Sequence, residues 1–442
     1  MQIQLSDHFT FGRLFRFVLP TVAMMIFSSI YGVVDGLFVS NFVGKTPFAA
    51  INLIMPVLQM LGALSLMLGI GGSALVSKYL GEQKKEKANK TFSLLVYTGI
   101  AVAVVFALAA IIFIKPIAVL LGAEGELIRL CAVYATIQLV AMPFMILQSM
   151  FQIFLITAER PDLGLKVTVV AGVTNVALDA LFIAVFKWGI VGASVATAIS
   201  QMVCGLVPLV FFSRPNNSAL RLVKTEFDGA ALLKTFTNGS SEFVVNISAA
   251  VVAVLYNYQL MSYAGEDGIA AYGVIMYVSF IFMTIFFGYA NGIAPVIGYN
   301  FGAKNAKELK NIFQKSMLVT TVSGISLTTL AVALSAPLSK LFVSYDPQLY
   351  EMTVHAFRVY ALSFLFSGFS IFSSAMFTAL NNGGVSATIA FVRTMILQAA
   401  ASLILPILWG IEGVWYAIII AEALAAVMSV GFVAKYRKRY QY

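Results

Sequence analysis

GKTPFAAINLIMPVL, residues 44–58, returns 221 positions later as GEDGIAAYGVIMYVS, residues 265–279. Ala49, Ala50, Ile54 and Met55 reappear as Ala270, Ala271, Ile275 and Met276. The offset is half of the 442-residue length. In the same register YLGEQKKEKANKTF (79–92) lies over NFGAKNAKELKNIF (300–313), both basic. Thr157 and Ala158 recur as Thr378 and Ala379, and WGIVG at 188 recurs as WGIEG at 409. A series of matches without a gap reads as one unit written twice.

The composition says what the unit is made of. Apolar residues make up 60% of the chain and charged residues 11%, with a mean hydropathy of +0.92. An average soluble domain carries roughly 25% charge, and so few charges cannot cover so much apolar surface in water. An ordinary soluble enzyme is excluded. So is disorder, which is poor in aromatics, because the chain holds 36 Phe, 18 Tyr and 3 Trp. The chain reads as an all-α polytopic membrane protein.

A helix needs about 20 mainly apolar residues to cross the hydrocarbon. Twelve segments qualify, with cores near 15–40, 50–76, 92–114, 129–156, 164–186, 190–212, 237–262, 269–298, 313–336, 352–380, 385–408 and 411–434. Six fall in each half. An even repeat keeps its orientation, so the halves are related by an axis along the membrane normal. The expected architecture is two six-helix lobes, 1–212 and 236–442, related by pseudo-two-fold symmetry around a central cleft. The polar stretch 213–235 is the expected cytoplasmic linker between them. Pro20, Pro56, Pro143, Pro295 and Pro406 lie inside spans, where proline bends a helix and frees a carbonyl.

Loop charges set the orientation. The side holding both termini carries 21 of the Lys and Arg residues, among them Lys78, Lys84, Lys85, Lys87 and Lys90 after the second span and Lys304, Lys307, Lys310 and Lys315 after the eighth. The other side carries five: Lys45, Lys115, Arg129, Lys187 and Lys340. This bias places both termini in the cytoplasm. It also accounts for the net charge of +9 without nucleic acid, since the basic residues sit in clusters between spans. Cys131 and Cys204 form no disulfide framework or metal motif. The start lacks a signal-peptide pattern, so the first span is expected to stay in the mature protein.

Four acids fall inside spans: Asp35, Asp179, Glu242 and Glu422. A carboxylate at mid-bilayer costs about 2.5–3.5 kcal/mol on insertion scales, so such groups face a cavity and tend to be functional. Ser28, Tyr31 and Asp35 share one face of the first span. Asp179 lies in the fifth span with Asn175 one turn earlier, and Thr197 lies in the sixth. Two carboxylates, an amide oxygen and a hydroxyl are hard ligands suited to Na⁺. Alternatively, desolvation and repulsion let one carboxylate hold a proton. Glu242, with Asn246 one turn on, suits attraction of a cationic substrate or binding of a coupling ion. Glu422 suits pairing with Arg393 or Arg358. No phosphate loop, metalloprotease motif or nucleophile elbow appears. His8 and His355 are the only histidines, so a metal triad or paired nucleophile and base is not expected, and neither is an enzyme.

With these features the sequence resembles the multidrug and toxic compound extrusion (MATE) family, in its bacterial MepA-like branch, over nearly its whole length. The resemblance rests on twelve spans in two repeats, Pro20 with Tyr31 and Asp35, the group Asn175, Asp179 and Thr197, and the basic loops after Gly81 and Gly302. It implies a Na⁺- or H⁺-coupled antiporter of the prokaryotic inner membrane, expelling lipophilic, often cationic compounds. Asp35, Asn175, Asp179 and Thr197 would then form the cation site, with Na⁺ as the possible metal. Tyr31 and Tyr134 would line the substrate cavity, joined by Glu242 and Asn246, and Pro20 would be the hinge of the first helix. No cofactor beyond the coupling ion is implied, and a monomer is expected. Some relatives carry an acid in the tenth span, whereas VHAFRVYALSFLFSGFSIF at 354–372 has none. Two other transporter readings share parts of the pattern. Lipid-linked oligosaccharide flippases of the same superfamily carry basic cavity residues, whereas the candidates here are acidic. A major-facilitator transporter has a loop motif that GEQKKEKANK at 81–90 does not reproduce.

Overall fold

The computed structural model describes residues 3–442, apart from the side chains at positions 37, 40, 41 and 45. The first two residues of the expected amino-terminal lobe, and the Lys45 side chain, lie outside the described residues. Among the described residues no strand occurs. The helices are α1 (Phe11–Phe42), α2 (Lys45–Gly81), α3 (Lys85–Leu120), α4 (Glu126–Val140), α5 (Met142–Thr157), α6 (Pro161–Asp179) and α7 (Gly189–Ser213) in the first half. The second half holds α8 (Gly229–Gly302), α9 (Ala306–Val343), α10 (Pro347–Ala361), α11 (Phe364–Ala379), α12 (Gly383–Phe391), α13 (Gln398–Trp409) and α14 (Ile411–Tyr440). A π-helical turn, Ala180–Val185, extends α6, and another, Val392–Leu397, joins α12 to α13.

Nine of these helical segments are long and apolar enough to cross a bilayer, and two bent pairs bring the number to eleven. The pairs are α4 with α5, bent by 55°, and α10 with α11, bent by 46°. Pro143 in the first turn of α5 accounts for the first bend, since it has no N–H for the helix bond. The twelfth span comes from α8, whose 74 residues far exceed one crossing. Its backbone leaves helical geometry at Gly265 (φ 62°, ψ −148°), where a side chain would be strained. Pro20, by contrast, sits within an α1 that stays helical along its length. Residues 214–228 are non-helical, and α8 opens at Gly229 with Asp228 capping the Ala231 N–H, so 229–235 belong to a helix rather than to a linker.

Large apolar side chains such as Leu19, Val105, Leu108, Ile112 and Leu120 point outward. In water such a surface would aggregate, whereas in lipid it is the expected exterior. Inside the first half, Phe92 packs edge-on against Phe154 and Phe212 at centroid distances of 4.8 and 4.9 Å.

The halves meet where α2 packs along α8. The contact is backbone on backbone. A Cβ on Gly81 would stand 1.9 Å from the Tyr299 carbonyl oxygen, and one on Gly302 would stand 2.1 Å from that of Lys78. Lys78 and Tyr299, like Gly81 and Gly302, are 221 positions apart, so the seam is self-complementary about a two-fold axis. Ser77 and Gly298, another pair at that spacing, touch each other. Both helices end beyond the seam in matched turns, with Gln83 at φ 61° and Lys304 at φ 55°. The bundle is therefore closed at the end bearing the basic loops.

A short segment ahead of α1 crosses this end. The Leu5 N–H donates to Glu159 Oε1 at 2.7 Å in the first half, and Asn300 Nδ2 donates to the Leu5 carbonyl at 3.4 Å from the second. The Phe9 N–H donates to Glu308 Oε1 at 2.9 Å, while His8 Nδ1 lies 2.7 Å from Glu308 Oε2. Leu5 and Phe9 are fully buried. The segment thus straps the two halves together.

Candidate functional site

Asp35 on α1 meets Asn175 and Asp179 at the end of α6, with Thr197 on α7. Gly172, one turn before Asn175, allows α1 this close: a Cβ there would lie 2.6 Å from the Phe27 ring and 3.0 Å from that of Tyr31. The Asp35 carboxyl interacts with Asp179, Asn175 and Thr197, and Asp179 interacts back with Asp35. Asn175 and Asp179 are almost wholly buried, while Asp35 is partly exposed.

These contacts satisfy few of the polar atoms. Asp35 Oδ1, both Asp179 carboxyl oxygens and both Asn175 amide atoms are buried without a partner of hydrogen-bonding geometry among the described residues. Thr197 donates its hydroxyl proton to the Ala193 carbonyl at 3.1 Å, which leaves its oxygen free to accept. No basic side chain among the described residues acts on either carboxyl. Buried polar groups without partners are costly, and two such carboxylates repel. A small cation relieves both: it supplies the missing charge and uses the unpaired oxygens as ligands. The π-helical turn that follows Asp179 breaks the regular helix beside the group, as such turns often do at functional sites.

Thr197 also faces a cavity of about 330 Å³. α2 contributes Met55, Gln59 and Leu66, α4 contributes Tyr134 and Gln138, and α7 contributes Gln201 beside Thr197. Asn246 on α8 is the wall from the second half. The amides are linked: Gln201 Nε2 donates to Gln138 Oε1 at 3.4 Å, and Gln138 Nε2 donates to the Ser194 carbonyl at 3.0 Å. Gln201 Oε1 is buried without a partner among the described residues. The lining mixes thioether, aliphatic and amide groups, a surface that fits a hydrophobic molecule with a few hydrogen-bonding groups.

The structure thus gathers Asp35, Asn175, Asp179 and Thr197, and it places Tyr134 and Asn246 on the cavity wall. Tyr31 and Glu242 stand outside the wall of this particular cavity. The Tyr31 ring packs over Gly172 beside Phe27, with its hydroxyl accepting from Gln148 at 3.5 Å. Glu242 lies one turn nearer the seam than Asn246, where α8 already packs on α2 through Gly239 and Met67. Gln138 and Gln201 were not among the expected residues. The signal for them was present in the spacing, since each stands four residues after a residue that was, Tyr134 and Thr197.

The family model described as MatE matches the chain at residues 20–181 and again at 242–404, once in each half. Among curated proteins, the multidrug export protein MepA of Staphylococcus haemolyticus (strain JCSC1435) is 26% identical over 430 residues, covering 97% of this chain and 94% of its own. MepA of Staphylococcus aureus (strain MRSA252) is similar to the same extent. Among solved structures, a crystal structure of MATE in complex with MaL6 superposes with a TM-score of 0.92 at 20% identity, covering 97% of this chain and 96% of that one. An outward-facing conformation of a multidrug resistance MATE family transporter of the MOP superfamily gives 0.92 at 21% over the same shares. The chain shares the twelve-helix, two-lobed fold of these solved MATE transporters.

Proposed function

The chain belongs to the MatE family, and on that premise we propose that it is a cation-coupled exporter of lipophilic, often cationic drugs and toxins, and not an enzyme. The observation that carries this reading is the buried pair Asp35 and Asp179, without a basic partner among the described residues, joined through Thr197 to a cavity of about 330 Å³. The similarity to MepA, a multidrug export protein, supports the cargo class.

Na⁺ or H⁺ is the coupling ion in this reading, and Asp35, Asn175, Asp179 and Thr197 hold it. Loading it removes the repulsion between α1 and α6, and α1 yields at Pro20, which lacks one helix hydrogen bond. The cavity beside Thr197 changes shape and drug leaves. Each charge falling through 100 mV supplies about 2.3 kcal/mol, which is about a 50-fold shift between two conformations. The lobes 1–212 and 236–442 rock against each other, opening and closing the seam of α2 and α8 in alternation. The charge bias of the loops supports a multi-pass inner-membrane protein with both termini in the cytoplasm, acting as a monomer.

Purified protein in liposomes, loaded with a fluorescent dye under an imposed Na⁺ gradient and separately under a pH gradient, tests the reading. Asp35→Asn and Asp179→Asn should each abolish gradient-driven dye movement while the protein still folds. Full dye movement in both variants would refute it.

A further inference from the structure

The second lobe has a buried polar centre of its own, in which an acid is already paired with a base. Arg393, in the π-helical turn Val392–Leu397, and Glu422 on α14 are both buried. Arg393 Nε lies 3.0 Å from each Glu422 carboxyl oxygen. Gln398 Nε2 on α13 donates to Glu422 Oε1 at 3.1 Å. Tyrosines from the other helices close around the pair. Tyr256 and Tyr272, from the two arms of α8, stack at a centroid distance of 5.3 Å with planes 2° apart. Tyr256 and Tyr360 both lie within range of the Glu422 charge, and Tyr360 within that of Arg393 as well.

The 221-residue repeat identifies what this cluster replaces. Tyr256 stands at the position of Asp35, Arg393 at that of Gly172, and Glu422 at that of Gln201. Asn175, Asp179 and Thr197 correspond to Ile396, Ala400 and Ile418, none of which is an ion ligand. The first lobe thus holds two carboxylates with no basic group acting on them among the described residues. The second holds one carboxylate with a cation already attached to the chain. At Gly172 the absent side chain lets α1 approach α6, whereas at Arg393 a long side chain runs from the equivalent helix to the acid.

We propose that Arg393 is a tethered cation that permanently neutralises the second lobe's buried acid, so that only the first lobe exchanges an ion. The idea rests on the reading of Asp35 and Asp179 as the exchanging pair. An ammonium or guanidinium held by the backbone cannot leave, so Glu422 needs no ion from solution and its lobe gains no driving force from one. The second lobe then follows the first through the α2–α8 seam.

The test removes the tether and asks whether Glu422 begins to take ions. Melting temperatures of the purified full chain are compared in sodium chloride against choline chloride and, separately, at acidic against neutral pH. The parent for these measurements is Asp35→Asn/Asp179→Asn, which silences the first lobe. The parent should not respond, Arg393→Gln added to it should gain a rise in melting temperature with Na⁺ or acid, and Arg393→Gln/Glu422→Gln should lose that rise again. A folded Arg393→Gln chain without any response overturns the proposal. So does a response in the parent that Glu422→Gln removes. Should Arg393→Gln not fold, Glu422→Gln in the otherwise native chain decides: an unchanged cation response supports the tether, and a lost response overturns it. If the native chain itself shows no cation response, the reading of Asp35 and Asp179 fails, while the gain expected on removing Arg393 is still measured independently.

Discussion

Closure at the basic end depends on two glycines, and adding one methyl group there should open it. In Gly302→Ala the new Cβ falls 2.1 Å from the Lys78 carbonyl oxygen, while ordinary contact begins at 3.4 Å. The backbones of α2 and α8 must therefore part by about 1.3 Å. Neither surface can yield locally, because the opposing atom is main chain within a helix. Overpacking of this kind costs about 1–3 kcal/mol, and each 1.4 kcal/mol is tenfold, so the closed conformation should lose roughly 5- to 150-fold in population against one with the seam apart. Spin labels at Lys85→Cys and Lys307→Cys, both exposed at the starts of α3 and α9 just beyond the seam, read this by double electron–electron resonance in a Cys131→Ala/Cys204→Ala background. The expected result is a distance distribution shifted to longer values. Gly81→Ala, at 1.9 Å from the Tyr299 carbonyl oxygen, should do the same, because the seam is two-fold. A folded variant with the parent's distribution would show that the seam does not govern closure.

Two further outcomes follow from the packing. Glu308→Ala removes the acceptor of the Phe9 N–H and the partner of His8. Losing that buried bond costs about 1–3 kcal/mol, so amide exchange in the strap around Phe9 should speed up roughly 5- to 150-fold by mass spectrometry, and unchanged protection would mean that the strap is held by its apolar side chains alone. Gln138→Leu removes an extra donor to the Ser194 carbonyl and the acceptor of the Gln201 amide. A loss of about 1–3 kcal/mol should lower the melting temperature in detergent, and a variant as stable as the parent would show that other groups take over those bonds.

The bilayer reads sequence in a coarse way, and that is why so much was legible. A run of about 20 apolar residues has one low-energy place to be, and a repeat offset is visible without any coordinates. Twelve spans and two halves followed from those two facts, and the cost of an acid inside a span drew attention to Asp35 and Asp179. Spacing along a helix also fixed which side chains share a face, so the unexpected amides Gln138 and Gln201 were within reach of the same reasoning. Depth was not. Asn246 and Glu242 share a face of α8, yet of the two it is Asn246 that lines the cavity beside Thr197, while Glu242 lies one turn nearer the α2 contact at Gly239.

Pairing across the fold was open as well. Glu422 suited either Arg393 or Arg358 on paper; the structure gives it Arg393, and Arg358 instead donates to Ser335 Oγ at 3.1 Å. The linear chain settled which segments enter lipid, because transfer out of water depends on composition summed over a window. Which buried acid keeps a partner, and which one is left needing an ion, was settled only by the three-dimensional arrangement, because a Coulomb contact depends on a few ångströms between residues far apart in the chain.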